Sequence, residues 1–265
     1  MNRGRSQRWY RRAVPLAAAA LCLGLTGVPV SAPSPAMPVS DAVLATATLG
    51  HVPTVRPVAT GQGTPYSAIV AGLVDIDSRI PGGTSSGTGI VLRRDGVVVT
   101  NNHVVARATD IVATDLGDGR RYPVIVLDRD PGHDVAVIQL VGAEHLAVAP
   151  VADSDRIEVG DRVAAIGNAG GLGGRPTITT GAVTALDRSI VASDESSHQR
   201  RHLHGMIQVS ATVRPGDSGG ALAGAGGVIG MITATSPGAG FAIPIDTVRS
   251  IADDVSLRPS SSRSE

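Results

Sequence analysis

Cysteine is nearly missing from this sequence. Cys22 is the only one among 265 residues, and it sits in an apolar run near the N-terminus. For everything beyond that run, a cysteine nucleophile, a thiolate metal site and a disulfide framework are excluded. Aromatic residues are almost as scarce, with one Phe, one Trp and three Tyr, so any core has to be built from Val, Ile, Leu and Ala. An excess of charge of either sign is absent, with 23 basic residues against 23 acidic ones. Nothing therefore marks nucleic acid as a partner. No segment repeats at a fixed period. Glycine and proline, by contrast, are plentiful at 33 and 17, which suits short strands joined by tight turns better than helices.

The two ends read differently from the middle. Arg3, Arg5, Arg8, Arg11 and Arg12 make a positive N-terminal region. An uncharged, mostly apolar run follows over residues 13–30, and Val30-Ser31-Ala32 has the small-x-small form of a cleavage site. Residues 1–32 are expected to be a signal peptide, and the protein to be secreted or to reside in the cell envelope. The alternative is an uncleaved membrane anchor, although Pro15 and Pro29 interrupt a run of only about 18 residues. Residues 33–64, rich in Pro, Ala, Thr, Ser and Gly, read as a linker or propeptide. Residues 256–265 read as a disordered polar tail. The folded part is expected over residues 65–255.

Within that part the apolar run from Ala68 ends in the alternation Val74-Asp75-Ile76-Asp77, a strand. Residues 81–87 read as a loop. Residues 88–92 and 97–100 flank Asp95-Gly96, a strong hairpin signal. Residues 109–114, 122–127 and 135–140 complete about six strands in the first half. In the second half, residues 162–166, 177–184, 206–209, 227–233 and 240–243 read as strands. Then the period changes. Pro244 stands at a helix start, and Ile245, Val248, Ile251 and Val255 recur every three or four residues. The pattern predicts an all-β protein of two six-stranded antiparallel barrels, about 66–147 and 150–243, closed by one C-terminal helix.

One stretch gathers chemistry. In Pro215-Gly216-Asp217-Ser218-Gly219-Gly220 a single serine is framed by glycines that let the backbone bend and the hydroxyl stand clear. Alone, such a stretch reads equally well as a surface turn. A serine nucleophile needs an imidazole base and an orienting carboxylate. All seven histidines, His51, His103, His133, His145, His198, His202 and His204, precede Ser218. The serine elbow of α/β-hydrolases requires a later histidine and helices between strands, so that reading fails. His103, after Thr100-Asn101-Asn102 at a strand end, is the best base. Asp134, in His133-Asp134-Val135-Ala136-Val137-Ile138, is the carboxylate candidate. Taken singly, each also reads as structural.

Thr100-Asn101-Asn102-His103-Val104-Val105, His133-Asp134-Val135-Ala136-Val137 and Pro215-Gly216-Asp217-Ser218-Gly219-Gly220 together resemble the three signature blocks of trypsin-like serine proteases. They most resemble the HtrA/Deg (DegP-like) branch. Gly240-Phe241-Ala242-Ile243-Pro244 is similar to that branch's closing strand. The resemblance covers about residues 68–253. Ala221 departs from it, standing where the family usually has proline. The branch's PDZ domain is not expected in this sequence, whose resemblance is to the protease domain only. The resemblance implies a serine endopeptidase working through an acyl-enzyme. Ser218 would be the nucleophile, His103 the general base and acid, and Asp134 its orienter. The backbone N–H groups of Gly216 and Ser218 would form the oxyanion hole. Thr233 aligns with a hydroxyl residue that supports the catalytic aspartate.

For the substrate pocket, the residue six before the nucleophile is Thr212, which is neutral. Residues 232–235 and 240–242 are its expected walls, with Thr233 and Thr235 among them. Without a buried carboxylate the pocket would not hold Lys or Arg, so cleavage is expected after small or medium apolar residues. The rival reading is a catalytically silent binding or chaperone-like module on the same fold. His198, His202 and His204 could in principle hold zinc, but among Ser196, Ser197, Arg200 and Arg201 they read as a solvated loop. No metal or cofactor is expected. The expected partners are protein or peptide substrates, a membrane only if the N-terminal segment is uncleaved, and with self-association left open.

Overall fold

The computed structural model describes residues 65–168, 174–193, 200–236 and 238–257. The expected signal peptide, linker and most of the tail lie outside the described residues. The described chain builds two closed six-stranded barrels followed by a helix. The first barrel contains β1 (Leu73–Ile80), β2 (Gly83–Val91), β3 (Val97–Asn101), β4 (Asp110–Asp115), β5 (Arg121–Asp130) and β6 (Val135–Leu140). Around it the strands run β1-β2-β3-β6-β5-β4. The second contains β7 (Arg162–Gly167), β8 (Thr177–Ser193), β9 (Arg200–Val209), β10 (Ala221–Gly224), β11 (Gly227–Ser236) and β12 (Ala239–Pro244), ordered β10-β11-β12-β9-β8-β7. Three helices complete it: α1 (Ser67–Ala71), α2 (Asn102–Val105) and α3 (Ile245–Leu257).

The strands read as apolar runs because both of their faces are covered. On β3, Val98 points into the barrel with Val74, Ile76 and Ile138, while Val97 and Val99 join a second apolar layer outside it. β6 divides the same way, Ala136 and Ile138 inward and Val135 and Val137 outward. On β11, Ile229 and Ile232 fill the second barrel, whereas Val228 and Met231 face the shared layer. That layer also takes Ile245, Val248, Ala252 and Val255 of α3. Each buried Val, Ile or Leu contributes roughly 1.5–3 kcal/mol. Many small aliphatic contacts thus replace the aromatic anchors that the composition lacks.

The structure refines several expectations. Residues 67–71, at the head of the first apolar run, form a short helix. β2 begins at Gly83, inside the expected loop. β8 and β9 extend well beyond the expected 177–184 and 206–209 and pair as one long hairpin. β10 was not expected; its four residues offered too short a pattern. The β2–β3 hairpin around Asp95-Gly96 forms with Ile90 opposite Val99, and Gly96 adopts the positive φ that this turn requires.

Candidate active site

Asp134 is held where its sequence neighbours place it. It closes the turn before β6 with φ of +58°, a conformation few non-glycine residues adopt. Its carbonyl accepts the Asn101 side-chain N–H at 3.0 Å and the Asn102 backbone N–H at 3.1 Å. These bonds extend the β3–β6 ladder, in which Asn101 lies opposite Val135. The turn is thereby tied to α2, the one-turn helix that carries His103. Strain of this kind persists only where neighbours over-determine it, and here two asparagines do so.

The side chains then meet. Asp134 is fully buried and His103 half-buried. His103 Nδ1 lies 2.8 Å from Asp134 Oδ2 and 3.2 Å from Oδ1, and the His103 backbone N–H donates to Oδ1 at 3.1 Å. Thr233 on β11 donates its hydroxyl to Oδ2 at 2.6 Å. The register of β11 against β12 shifts between Ile232 and Ala234, so Thr233 sits at a bulge, a device that re-aims a side chain. Arg201 on β9 forms an ion pair with Oδ1 and brings Nη1 to 2.8 Å from His103 Nδ1. Burial pushes the Asp134 pKa up. The hydrogen bond and charge of His103, the Arg201 charge and the Thr233 hydroxyl outweigh it and hold the group below the ordinary carboxylate range.

Ser218 arrives from the second barrel, on the loop between β9 and β10. Gly216 and Gly219 take φ of +96° and +83°. A Cβ on Gly219 would stand 2.0 Å from the Thr88 carbonyl oxygen, so only glycine allows this approach to β2. The Thr88 backbone N–H donates to Ser218 O at 2.8 Å, and the Thr88 hydroxyl donates to Gly216 O at 2.9 Å. Gly87 shows how near the two barrels come. A Cβ there would lie 2.8 Å from Val104, the residue after His103, and 3.1 Å from Ser218 O. Asp217 is turned into its own loop, accepting from the Arg214 backbone N–H at 2.9 Å and the Thr177 hydroxyl at 3.3 Å. Burial raises its pKa against the lowering effect of those bonds.

Thr212 and Thr235 line a cavity of about 90 Å³ with Val213, Gly238 and Ala239. The Thr233 hydroxyl is directed at Asp134. His202 and His204 stand exposed on β9 rather than in a loop, and His198 lies outside the described residues. Among the described residues, no three His, Cys, Asp or Glu side chains converge as metal ligands would. Thr88 and Arg201 were missed from sequence. Thr88 lay in a strand with no chemical signal, and Arg201 is one of several charged residues in a polar stretch.

Comparison with known proteins agrees with this architecture. Residues 87–231 match the family described as trypsin-like peptidase domain. The periplasmic serine endoprotease DegP of Escherichia coli (strain K12) is 38% identical over 177 residues, covering 64% of this chain and 35% of DegP. The serine protease PepD of Mycobacterium tuberculosis is 33% identical over 209 residues, covering 71% of this chain and 44% of PepD. The chain thus spans less than half the length of either relative. Among solved structures, the HtrA-type protease AlgW with tripeptide superposes with a TM-score of 0.63 at 31% identity, over 72% of this chain and 62% of that one. With more than half of its length inside the matched family, the chain belongs to the trypsin-like peptidase domain family.

Proposed function

We propose that this chain is a serine endopeptidase in which Ser218 attacks the scissile carbonyl, His103 accepts its proton and Asp134 orients the imidazole. The observation that carries this reading is the 2.8 Å contact between His103 Nδ1 and Asp134 Oδ2, made by a carboxylate with no exposed surface. An aspartate so placed fixes the ring and stabilises the imidazolium that forms. Proton transfer from Ser218 Oγ to His103 Nε2 accompanies formation of the tetrahedral intermediate. The backbone N–H groups of Gly216 and Ser218 are the proposed oxyanion donors. Its collapse passes the proton to the leaving amine and leaves an acyl group on Ser218, which water removes. The Thr88 ties to Gly216 O and Ser218 O support this role by holding the nucleophile loop against the barrel that carries the base.

Substrates are proposed to be proteins or peptides cut after small or medium apolar residues. The neutral, narrow cavity at Thr212 and Thr235 supports that choice, and the tripeptide named with AlgW supports a peptide ligand without bearing on its side chains. We further propose an extracytoplasmic location, supported by the arginine-rich and apolar N-terminal pattern and by the periplasmic naming of DegP. No helix of the described residues is long and apolar enough to cross a membrane. The test is labelling of the purified chain with a fluorophosphonate, read by intact mass. One adduct on Ser218, lost in Ser218→Ala together with at least about a thousandfold of peptide hydrolysis, is expected. Near-normal turnover in the alanine variant would refute Ser218 as the nucleophile, whereas no adduct and no turnover in the unsubstituted chain would favour the silent binding module.

A further inference from the structure

Arg201 makes a contact that the triad reading does not need. The two oxygens of Asp134 already accept from the His103 backbone N–H and the Thr233 hydroxyl and lie against His103 Nδ1. Three of the carboxylate's roughly four acceptor sites are therefore occupied without Arg201. Arg201 nevertheless forms an ion pair with Oδ1 and sets Nη1 2.8 Å from His103 Nδ1, with its side chain 14% exposed. We propose that Arg201 is a positioning residue that brakes the triad: docked between Asp134 and His103, it opposes the imidazolium on which proton transfer from Ser218 depends. This inference rests on the triad reading given above.

The chemistry leaves little choice of sign. A guanidinium has donors only and keeps its charge at every working pH. If Nη1 donates to His103 Nδ1, that nitrogen carries a lone pair and the ring proton is on Nε2. Nε2 then cannot accept from Ser218 Oγ. If Nδ1 carries the proton instead, two donors face each other and compete for one carboxylate. In both cases a fixed positive charge stands against a ring that must become positive during catalysis. Among the described residues, Asp134 and Arg201 are the charged groups in contact with the imidazole, one from the turn before β6 and one from β9. Thr233, from β11, adds only a neutral hydroxyl.

The placement also suits release. Arg201 Nε is buried without a hydrogen-bond partner among the described residues, so the docked guanidinium is incompletely satisfied. Arg201 rides the distal part of the β8–β9 hairpin, opposite Ala192. That hairpin changes register three times between Val183 and Ile190, and Gly205 on β9 has φ of +67°. Arg201 thus lies on a bent arm beyond the β9 residues Ile207 to Val209, whose pairing with β12 closes the barrel.

The experiment compares the full chain with Arg201→Gln and Arg201→Lys, measuring the rate of fluorophosphonate labelling of Ser218 from about pH 5 to 9. The result expected for Arg201→Gln is labelling about tenfold faster on the plateau, with the acid limb about one pH unit higher. Arg201→Lys, which keeps the charge on a shorter reach, should fall between. Unchanged rate and unchanged acid limb in Arg201→Gln would overturn the proposal. Slower labelling with the limb unmoved, or loss of cooperative melting, would overturn it in favour of a structural role. Ser218→Ala separates the two readings: native labelling that vanishes in it upholds the triad whatever Arg201 does. No labelling in any chain would remove the triad reading and this one together.

Discussion

The hydroxyl of Thr233 lies 2.6 Å from Asp134 Oδ2, so the second barrel donates a hydrogen bond to a carboxylate anchored in the first. It is one of the few polar ties between the barrels that ends inside the candidate site. Removing it leaves a fully buried carboxylate short of a donor. Thr233→Val, nearly the same shape, should cost about 1–3 kcal/mol of stability and about tenfold in kcat/KM. Thermal melts and peptide kinetics on the one variant check both. Unchanged kinetics would show that Asp134 does not rely on the second barrel.

Activity should fall on the acid side through one ionisation. A protonated imidazole cannot take the Ser218 proton. The Asp134 carboxyl is held below the ordinary carboxylate range, so its own protonation does not produce that fall. Its contribution to stability is full above the ordinary carboxylate value and is lost only as pH falls through its depressed folded value. A rate profile that is flat from about pH 5 to 8, with folding constant, would remove His103 as the base.

Asp75 should behave in the opposite sense. It is buried on the outer face of β1, its Oδ1 has no partner among the described residues, and burial with the Asp77 charge raises its pKa to about 6. The fold therefore holds a proton that the unfolded chain has already lost between about pH 4 and 6, and stability falls as pH rises through that window. Asp75→Asn should raise the melting temperature by about 2–6 °C at pH 7.5, roughly 1–2 kcal/mol. The gain should vanish below about pH 4. Melts at the two pH values decide it, and an equal gain at both would contradict the ionisation argument.

Gly219→Ala tests the close approach of the nucleophile loop. At φ of +83°, with the new Cβ 2.0 Å from Thr88 O and 2.4 Å from Thr100 Oγ1, the substitution should cost at least about 3 kcal/mol. Gly82→Ala is the control. Its φ of +91° is similar but its surroundings are open, so it should lose only about 1 kcal/mol. Similar losses in denaturant unfolding would mean that backbone strain alone, and not contact with β2, sets the cost.

If the cavity of about 90 Å³ at Thr212 and Thr235 receives the substrate side chain, cleavage should follow small or medium apolar residues. Asp217 is engaged by the Arg214 backbone N–H and Thr177, which leaves no free carboxylate on that loop for a basic side chain. A peptide-library digest read by mass spectrometry should place most cuts after Val, Ala or Leu. A majority after Lys or Arg would overturn the pocket reading and leave the triad intact.

The local physics of the sequence determined much of this protein. β-Branched runs around Asp95-Gly96 specify a hairpin wherever they occur. The three- and four-residue spacing from Ile245 to Val255 specifies the closing helix, and its apolar residues are the ones the structure buries or half-buries. The glycines around Ser218 announce a bend, because no other residue tolerates those angles cheaply. Tertiary structure alone decided what crosses from one barrel to the other. The Thr233 bulge depends on how β11 registers against β12. The Thr88 bonds to Gly216 and Ser218 join residues more than a hundred positions apart. Arg201 reaches Asp134 only because a long bent hairpin turns it inward. Strand and turn preferences are set by neighbours along the chain and are legible there. Register shifts and long-range polar contacts depend on how closed surfaces fit, and no local pattern encodes that fit.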